Sequence, residues 1–331
     1  MDTQRSLVLG TMNFGRLTDG DQAQAILRAA HELGISAVNT ADVDYSGRSE
    51  HYVGRFLSQV PKREHPWLMV ELSGPDMGVP NDPELTPGYL AEACKRSLRR
   101  LGVDQIDRVV VPRPSFRIPI EETFEGVHRL IVTPGLAASV GVSTFPAWMT
   151  CDILHTTAKL GVTQPTSELA PYNLLDRRVE NELLPNSRRW KLEFFAWAPL
   201  AQGLLAGRYT GAALPSDSRA SLLGGIYRDR VSPLKARSRA ADFLRLCRRY
   251  GLEPSAAAIA WLLRQPGVAG AVFGPRTPEH VRSAAAARAV VLDRHFLTEV
   301  DRINPPGTAC VDFFNSAPWM LECVGDGRMN A

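Results

Sequence analysis

Eight short runs of β-branched, aromatic and other apolar residues recur along the chain, each separated from the next by a longer stretch with helical periodicity. They are Ser6 to Gly10, Ala37 to Thr40, Trp67 to Leu72, Ile106 to Val111, Ala138 to Val142, Thr163 to Leu169, Leu192 to Trp197 and Val268 to Phe273. Strand and helix in strict alternation build a parallel sheet. Among the intervening stretches, DQAQAILRAAHELG ends at Gly34 as a left-handed C′ residue, and SEHYVGRFLSQV opens at Ser49 as an N-cap. PGYLAEACKRSLRRLG carries Pro87 in its first turn and Gly102 at its end. Eight such units favour one closed barrel over an open doubly wound sheet, because no G-x-G-x-x-G follows the first run and no Gly-Lys pair exists for a P-loop. The expected architecture is an α/β (β/α)8 barrel whose chemistry sits at the strands' C-terminal ends.

The 331 residues fit a single barrel domain with insertions, since such a barrel needs about 250 residues. Residues 200–238, rich in Gly, Pro, Ser and Arg, are read as a long lid-like loop after the seventh strand. Residues 304–331, with Pro305, Pro306, Phe313, Phe314 and Trp319, are read as a covering tail. The longest apolar run, Ala256 to Leu263, is far below the roughly 18 residues of a membrane helix. The N-terminus has neither a basic n-region nor a long apolar segment, and no Asn starts an N-x-S/T sequon. Five scattered cysteines without C-x-x-C point to a reduced, cytoplasmic protein with no disulfide framework. The formal charge of +3 is well mixed, so the basic stretch at Arg245 to Arg249 reads as a solvated helix face rather than a nucleic-acid site. The seven histidines form no H-E-x-x-H or other ligand spacing, and no G-x-S-x-G nucleophile elbow is present.

Several stretches taken together resemble the aldo-keto reductase superfamily. They are LVLGTMNFG, GISAVNTADVDYSGRSEHYVG, GVSTF from Gly141, PYNLLDRRVE from Pro171, WAPLAQGLLAGRY from Trp197 and AIAWLLRQPGVAGAVFGPRTPEHV from Ala258. They occur in family order along about the whole chain. The resemblance implies a TIM barrel and carbonyl reduction by hydride from NADPH. In the family a Tyr phenol protonates the oxygen, a Lys lowers its pKa, an Asp pairs the Lys and a His orients the carbonyl. Here all four types are substituted. Asn39 stands at the Asp position, Asp44 at the Tyr position with Tyr45 one place late, Glu71 (or, with a one-residue shift, Leu72) at the Lys position, and Pro112 at the His position.

The substitutions are physically coherent. Without the Lys, a buried Asp would be an unpaired charge costing several kcal/mol, whereas Asn39 is neutral and still forms hydrogen bonds. Asp44 and Glu71 are expected near each other at the barrel mouth, where two carboxyls in a partly desolvated cleft raise one pKa. The bland reading leaves Asp44 in solvent and Glu71 capping local bonds. Arg113 is the candidate substrate contact on a polar floor with Asn39, Asp44 and Glu71.

By the same resemblance, Ser143 is the nicotinamide-amide contact, with Thr144 replacing the neighbouring Asn and Leu169 replacing a Gln on the sixth strand. Trp197 takes the ring-stacking position. Ala198, Pro199, Leu200 and Gly203 resemble the pyrophosphate-binding turn, whose N–H groups suit phosphate oxygens. Gly274 and Arg276 resemble the 2′-phosphate site, while His280 and Ala284 replace a Gln and an Asn at the adenine end. The expected cofactor is NADP(H), retained in part, with no metal. The expected partner is a small oxygenated molecule, a carbonyl, polyol or keto-sugar-like metabolite, with no nucleic acid and no membrane. Monomer and homo-oligomer both stay open. Three functions follow: an oxidoreductase with Asp44, Tyr45 or protonated Glu71 as proton donor; a non-redox lyase or dehydratase, epimerase or cyclase using an Asp44/Glu71 pair; and a non-catalytic sensor or scaffold, as potassium-channel β subunits resemble reductases.

Overall fold

The computed structural model describes residues 7–41, 47–72, 86–114, 118–211 and 213–313. Eight parallel strands run β1 (Leu7–Gly10), β2 (Ala37–Ala41), β3 (Trp67–Glu71), β4 (Arg108–Val111), β5 (Val140–Ser143), β6 (Ser167–Pro171), β7 (Glu193–Trp197) and β8 (Val268–Phe273). They pair in chain order and β1 closes on β8, which is the TIM barrel that the strand count predicts. The helices lie outside it: α1 (Gly20–Glu32), α2 (Arg48–Leu57), α3 (Pro87–Leu101), α4 (Ile120–Val127), α5 (Ala147–Leu160) and α6 (Leu183–Trp190) alternate with the strands through β7. Then come α7 (Arg219–Leu223), α8 (Gly225–Val231), α9 (Leu234–Arg249) and α10 (Pro254–Leu263) before β8, with α11 (Pro278–Ala286) and α12 (Arg294–Ile303) after it.

Because both faces of a parallel strand are covered, the strands are apolar on both. One face of each packs on the helices through residues such as Leu9, Val38, Val70, Val109 and Val142. The other fills the barrel, where Val8, Ala37, Met69, Val110, Leu169, Phe195 and Val272 form a separate central layer. Below that layer Arg108 pairs with Glu193 at 2.8 Å and lies over Trp67, closing the N-terminal end. The C-terminal end stays polar.

Some local readings need correction. Ser49 is not the N-cap of α2; Gly47, in the left-handed region at φ +78, holds that position. The Ser49 hydroxyl instead donates to the Thr11 carbonyl at 3.2 Å and bonds the Thr40 hydroxyl, tying α2 to the ends of β1 and β2. Strand β6 starts at Ser167 rather than Thr163, since Pro165 has no N–H for the ladder. Residues 200–238 hold a 3-10 turn (Ala201–Gly203), α7, α8 and the first turn of α9. Gly34 and Gly102 are left-handed at helix ends and Pro87 starts α3, as expected, while the N-cap of α1 is Asp19.

The PYNLLDRRVE stretch forms a clasp for the tail. Glu180 accepts from the Tyr172 hydroxyl and from Arg177 Nε, each at 2.6 Å, and from Gly307 N at 3.0 Å. Arg177 also reaches Asp301 at 2.7 Å, and Asp176 accepts from Phe313 N while paired with Arg178. Phe314, Trp319 and the rest of the tail lie outside the described residues.

Helices α2 and α3 cross so closely that a Cβ on Gly54 would stand 2.2 Å from the Arg100 carbonyl oxygen, whereas one on Gly88 would meet nothing within 4 Å. Gly54→Ala is therefore expected to destabilise by about 1–3 kcal/mol. Gly88→Ala should be neutral or stabilising by up to about 1 kcal/mol through helix propensity. Urea denaturation of the two variants checks the contrast.

Candidate active site

Side chains alternate along a strand, so once Met69 fills the central layer, Glu71 two residues on also points inward and Leu72 points out. Leu72 is fully buried in the helix-facing core, so of the two it is Glu71 that faces the barrel. Asn39 reaches the same floor from β2 and Ser143 from the end of β5. Asn39 Nδ2 donates to Glu71 Oε1 at 3.4 Å, and the Ser143 hydroxyl makes a second hydrogen bond to the carboxyl. Burial outweighs both bonds and raises the Glu71 pKa above the usual carboxylate value. Asp44 and Tyr45 lie outside the described residues. Arg113 follows β4 at the same end and is only 7% exposed.

The loop after β5 is held from behind. Thr144, a β-branched residue, sits at φ +62, a conformation that costs about 1–2 kcal/mol. Its N–H donates to the Leu169 carbonyl at 2.8 Å. Beside it Glu168, facing out of the barrel and fully buried, accepts from Phe145 N at 3.4 Å and from the Thr150 hydroxyl at 3.3 Å. Desolvation pushes the Glu168 pKa well up despite these bonds. Leu169 belongs to the apolar central layer.

Trp197 ends β7 half-buried, with Phe313 edge-on at 6.2 Å and the Arg230 guanidinium 5.7 Å from its ring centre. The chain then turns through Ala198, Ala201 and Gln202, all left-handed without being glycine, to Gly203 at φ +99. Three such residues in one turn store strain of order 1–3 kcal/mol each, the pattern of a ligand clamp. Pro199 and Leu200 lie within this turn, and the Leu200 carbonyl accepts from Gly203 N at 2.9 Å. Gln202 Oε1 is buried with no hydrogen-bond partner among the described residues.

At the end of β8, Gly274 and Pro275 carbonyls accept from Asn13 Nδ2, and Asn13 Oδ1 accepts from Arg219 of α7. Arg276 donates to the Asp217 carbonyl at 2.6 Å, and Arg208 pairs with the Asp217 carboxylate at 2.5 Å, which holds that carboxyl below its ordinary pKa. His280 Nδ1 accepts from Arg276 N; partial desolvation and the charges of Arg208 and Arg276 lower its pKa. Two guanidiniums and an imidazole thus gather at one rim. These residues fit a phosphorylated dinucleotide: a half-buried aromatic ring, a strained turn with an orphaned acceptor, and a pair of cations for phosphate.

Of the residues singled out by sequence, Asn39, Glu71 and Ser143 meet in one hydrogen-bonded group, and Arg276 meets His280. Sequence reasoning missed Glu168, Gln202, Arg208, Asp217, Arg230 and the Trp197 contact of Phe313. Arg208 and Gln202 lie inside the quoted WAPLAQGLLAGRY stretch, so that motif carried their signal. Among the described residues no group of His, Cys, Asp and Glu could hold a metal ion, and no helix is long and apolar enough to cross a membrane.

Residues 6–305 match the sequence model of the aldo/keto reductase family. A Bacillus subtilis (strain 168) protein named "Uncharacterized oxidoreductase YrpG" is 30% identical over 314 residues, covering 91% of this chain and 93% of its own. An Oryza sativa subsp. japonica protein named "Probable voltage-gated potassium channel subunit beta" is 28% identical over 296 residues, covering 89% and 87%. "Protein tas" of Escherichia coli (strain K12) is 27% identical, covering 90% and 94%.

Glu168 gives a stability test. Its folded pKa is raised, so its contribution is fully present below the unfolded value near 4.5 and is lost as pH rises toward the folded one. Glu168→Gln should be more stable than the parent at pH 8, with the difference shrinking toward pH 5, as measured by urea denaturation at both.

Proposed function

The chain belongs to the aldo/keto reductase family, and on that premise we propose that it is an NADP(H)-linked oxidoreductase reducing the carbonyl of a small oxygenated metabolite, with Glu71 as proton donor. The observation that carries this reading is the half-buried Glu71 carboxyl held between Asn39 and Ser143 at the C-terminal end of the barrel, with its pKa raised. A carboxyl whose protonated form is favoured in this way can donate to an oxygen on which negative charge develops. Asn39 Nδ2 and the Ser143 hydroxyl then stabilise the carboxylate left behind, so the proton leaves without stranding a bare charge.

Bound NADPH would supply the hydride. Trp197 offers the flat face for the nicotinamide, the 198–203 turn and Gly274 the phosphate and backbone approach, and Arg276 with Arg208 the cations for a 2′-phosphate, near His280. Arg113 is the candidate substrate contact. The polar floor suits a keto-sugar-like or polyol substrate. A non-redox acid–base reaction, such as dehydration or epimerisation, keeps one observation in its favour: the same carboxyl with its raised pKa would serve it.

Trp fluorescence titrated with NADPH and NADH should show NADPH-selective binding. Arg276→Ala should weaken NADPH by about 10- to 100-fold, the worth of a charge-assisted hydrogen bond, and leave NADH unchanged. On a carbonyl panel followed at 340 nm, Glu71→Gln should lower kcat by about 100- to 10,000-fold while NADPH affinity holds. The parent's reduction rate should fall as pH rises through the raised Glu71 pKa, because only the protonated acid donates. No NADPH binding would end the reductase reading, and binding without turnover on any carbonyl would favour a sensor.

A further inference from the structure

Where other strands turn Leu9, Val38, Val70, Val109 and Val142 toward the helices, β6 turns a carboxyl. Glu168 is fully buried there. Its Oε1 accepts from Phe145 N at 3.4 Å, its Oε2 accepts from the Thr150 hydroxyl at 3.3 Å, and the Thr144 backbone gives a third bond. These partners are all neutral. A buried carboxyl without a cation is costly, and an apolar side chain of the same size would fill the space more stably. The proposed reaction makes no direct use of it, since Glu168 faces the helices while Glu71 faces the barrel.

Its three partners share a place in the chain. Thr144 and Phe145 directly follow Ser143, and Thr150 stands just beyond them in α5. Thr144 is β-branched and held at φ +62, a region such residues avoid. Unheld, the turn would relax to negative φ, and Ser143 at its near end would rotate with it. The Thr144 N–H donates to the carbonyl of Leu169, the residue after Glu168, at 2.8 Å, so β6 grips the turn with backbone and carboxyl together. Inside the barrel, the Ser143 hydroxyl bonds the Glu71 carboxyl.

We propose that Glu168 is a positioning residue: from the helix side of β6 it holds the Ser143–Thr144 turn so that the Ser143 hydroxyl stays on the Glu71 carboxyl. Buried behind the strand, it acts through Ser143 rather than on the reacting atoms. A donor to the ionised carboxyl makes Glu71 a stronger acid, so keeping that donor in place sets how readily the proton leaves. The effect on rate rests on the reading of Glu71 as proton donor; the effect on the Glu71 carboxyl itself does not.

Two variants of the full chain separate the acceptor from the packing. Glu168→Met and Glu168→Gln are close in shape and both lack the carboxyl charge, but only Gln keeps an oxygen acceptor. In 13C NMR titrations of the Glu71 carboxyl, assigned by its loss in Glu71→Gln, the midpoint should lie at higher pH in Glu168→Met than in Glu168→Gln. Asn39 from β2, Ser143 from β5 and Arg113 after β4 are the same in both, so they drop out of the comparison. In carbonyl reduction with NADPH, Glu168→Met should lower kcat about tenfold, the worth of one hydrogen bond to a carboxylate, with carbonyl KM within about twofold of the parent. Glu168→Gln should keep the parental kcat. Adding Thr144→Gly to the Met variant should recover most of the loss, because glycine takes positive φ without strain. Glu168→Met combined with Ser143→Ala should be no slower than Ser143→Ala alone.

Met and Gln variants that titrate and turn over alike overturn the proposal, and so does a double variant whose losses multiply, since Glu168 would then act elsewhere than through Ser143. Should Glu168→Met not fold, a tenfold loss in Glu168→Gln overturns it, and parental kcat there beside a tenfold loss in Ser143→Ala upholds it. A Glu71→Gln variant as fast as the parent, or a parent that reduces no carbonyl, ends the proton-donor reading and leaves the NMR comparison to decide this one.

Discussion

Closing eight parallel strands on themselves forces every second side chain into a space that only a few layers can fill. In this chain the lowest layer is an ion pair, the middle one is apolar, and the uppermost is polar and open. That order fixes where chemistry can occur. Glu71 is two residues past Met69 on the same strand face, so the apolar layer that seals the barrel is also what desolvates the carboxyl above it. The strength of the acid and the integrity of the core thus have one cause.

Charge is distributed around this floor with a consistent logic. On the floor the neutral Asn39 amide stands beside the Glu71 carboxyl, whose burial favours the protonated form. Permanent charge is moved outward. Arg208 and Arg276 share Asp217 at one rim, and Arg230 sits over Trp197 behind the tail clasp. The floor is made of groups that can change protonation, and the walls of groups that cannot.

Much of this was legible in the sequence because the barrel's periodicities are local. The eight strands and the helix-end glycines Gly34 and Gly102 follow from short-range patterns, and Asn39 and Ser143 are singled out by the family resemblance. What escaped was set by partners distant in the chain. Ser49 reads as an N-cap until Thr11 and Thr40 are brought against it. Glu168 reads as one more strand residue, and only the returning Thr150 and Phe145 show it to be a support for the next loop. Arg230 fell inside a segment whose composition reads as loop, because α7 and α8 are too short to leave a periodic signature. Asp44 and Tyr45, the other candidate donors, lie outside the described residues, so Glu71 stands on its own geometry.

The tail clasp ties the loop after β6 to residues more than a hundred positions later, with Glu180 holding Gly307 and Asp176 holding Phe313. A chain emerging from a ribosome can lay down β1 to β7 and their helices while those late partners are still unmade. During that interval Glu180 and Asp176 lack their bonds to Gly307 and Phe313, and Trp197 lacks the edge contact of Phe313. The order of synthesis therefore makes the active-site rim the last part of the barrel to be assembled, and a nascent chain stays open at its mouth until its own C-terminal segment arrives to shut it.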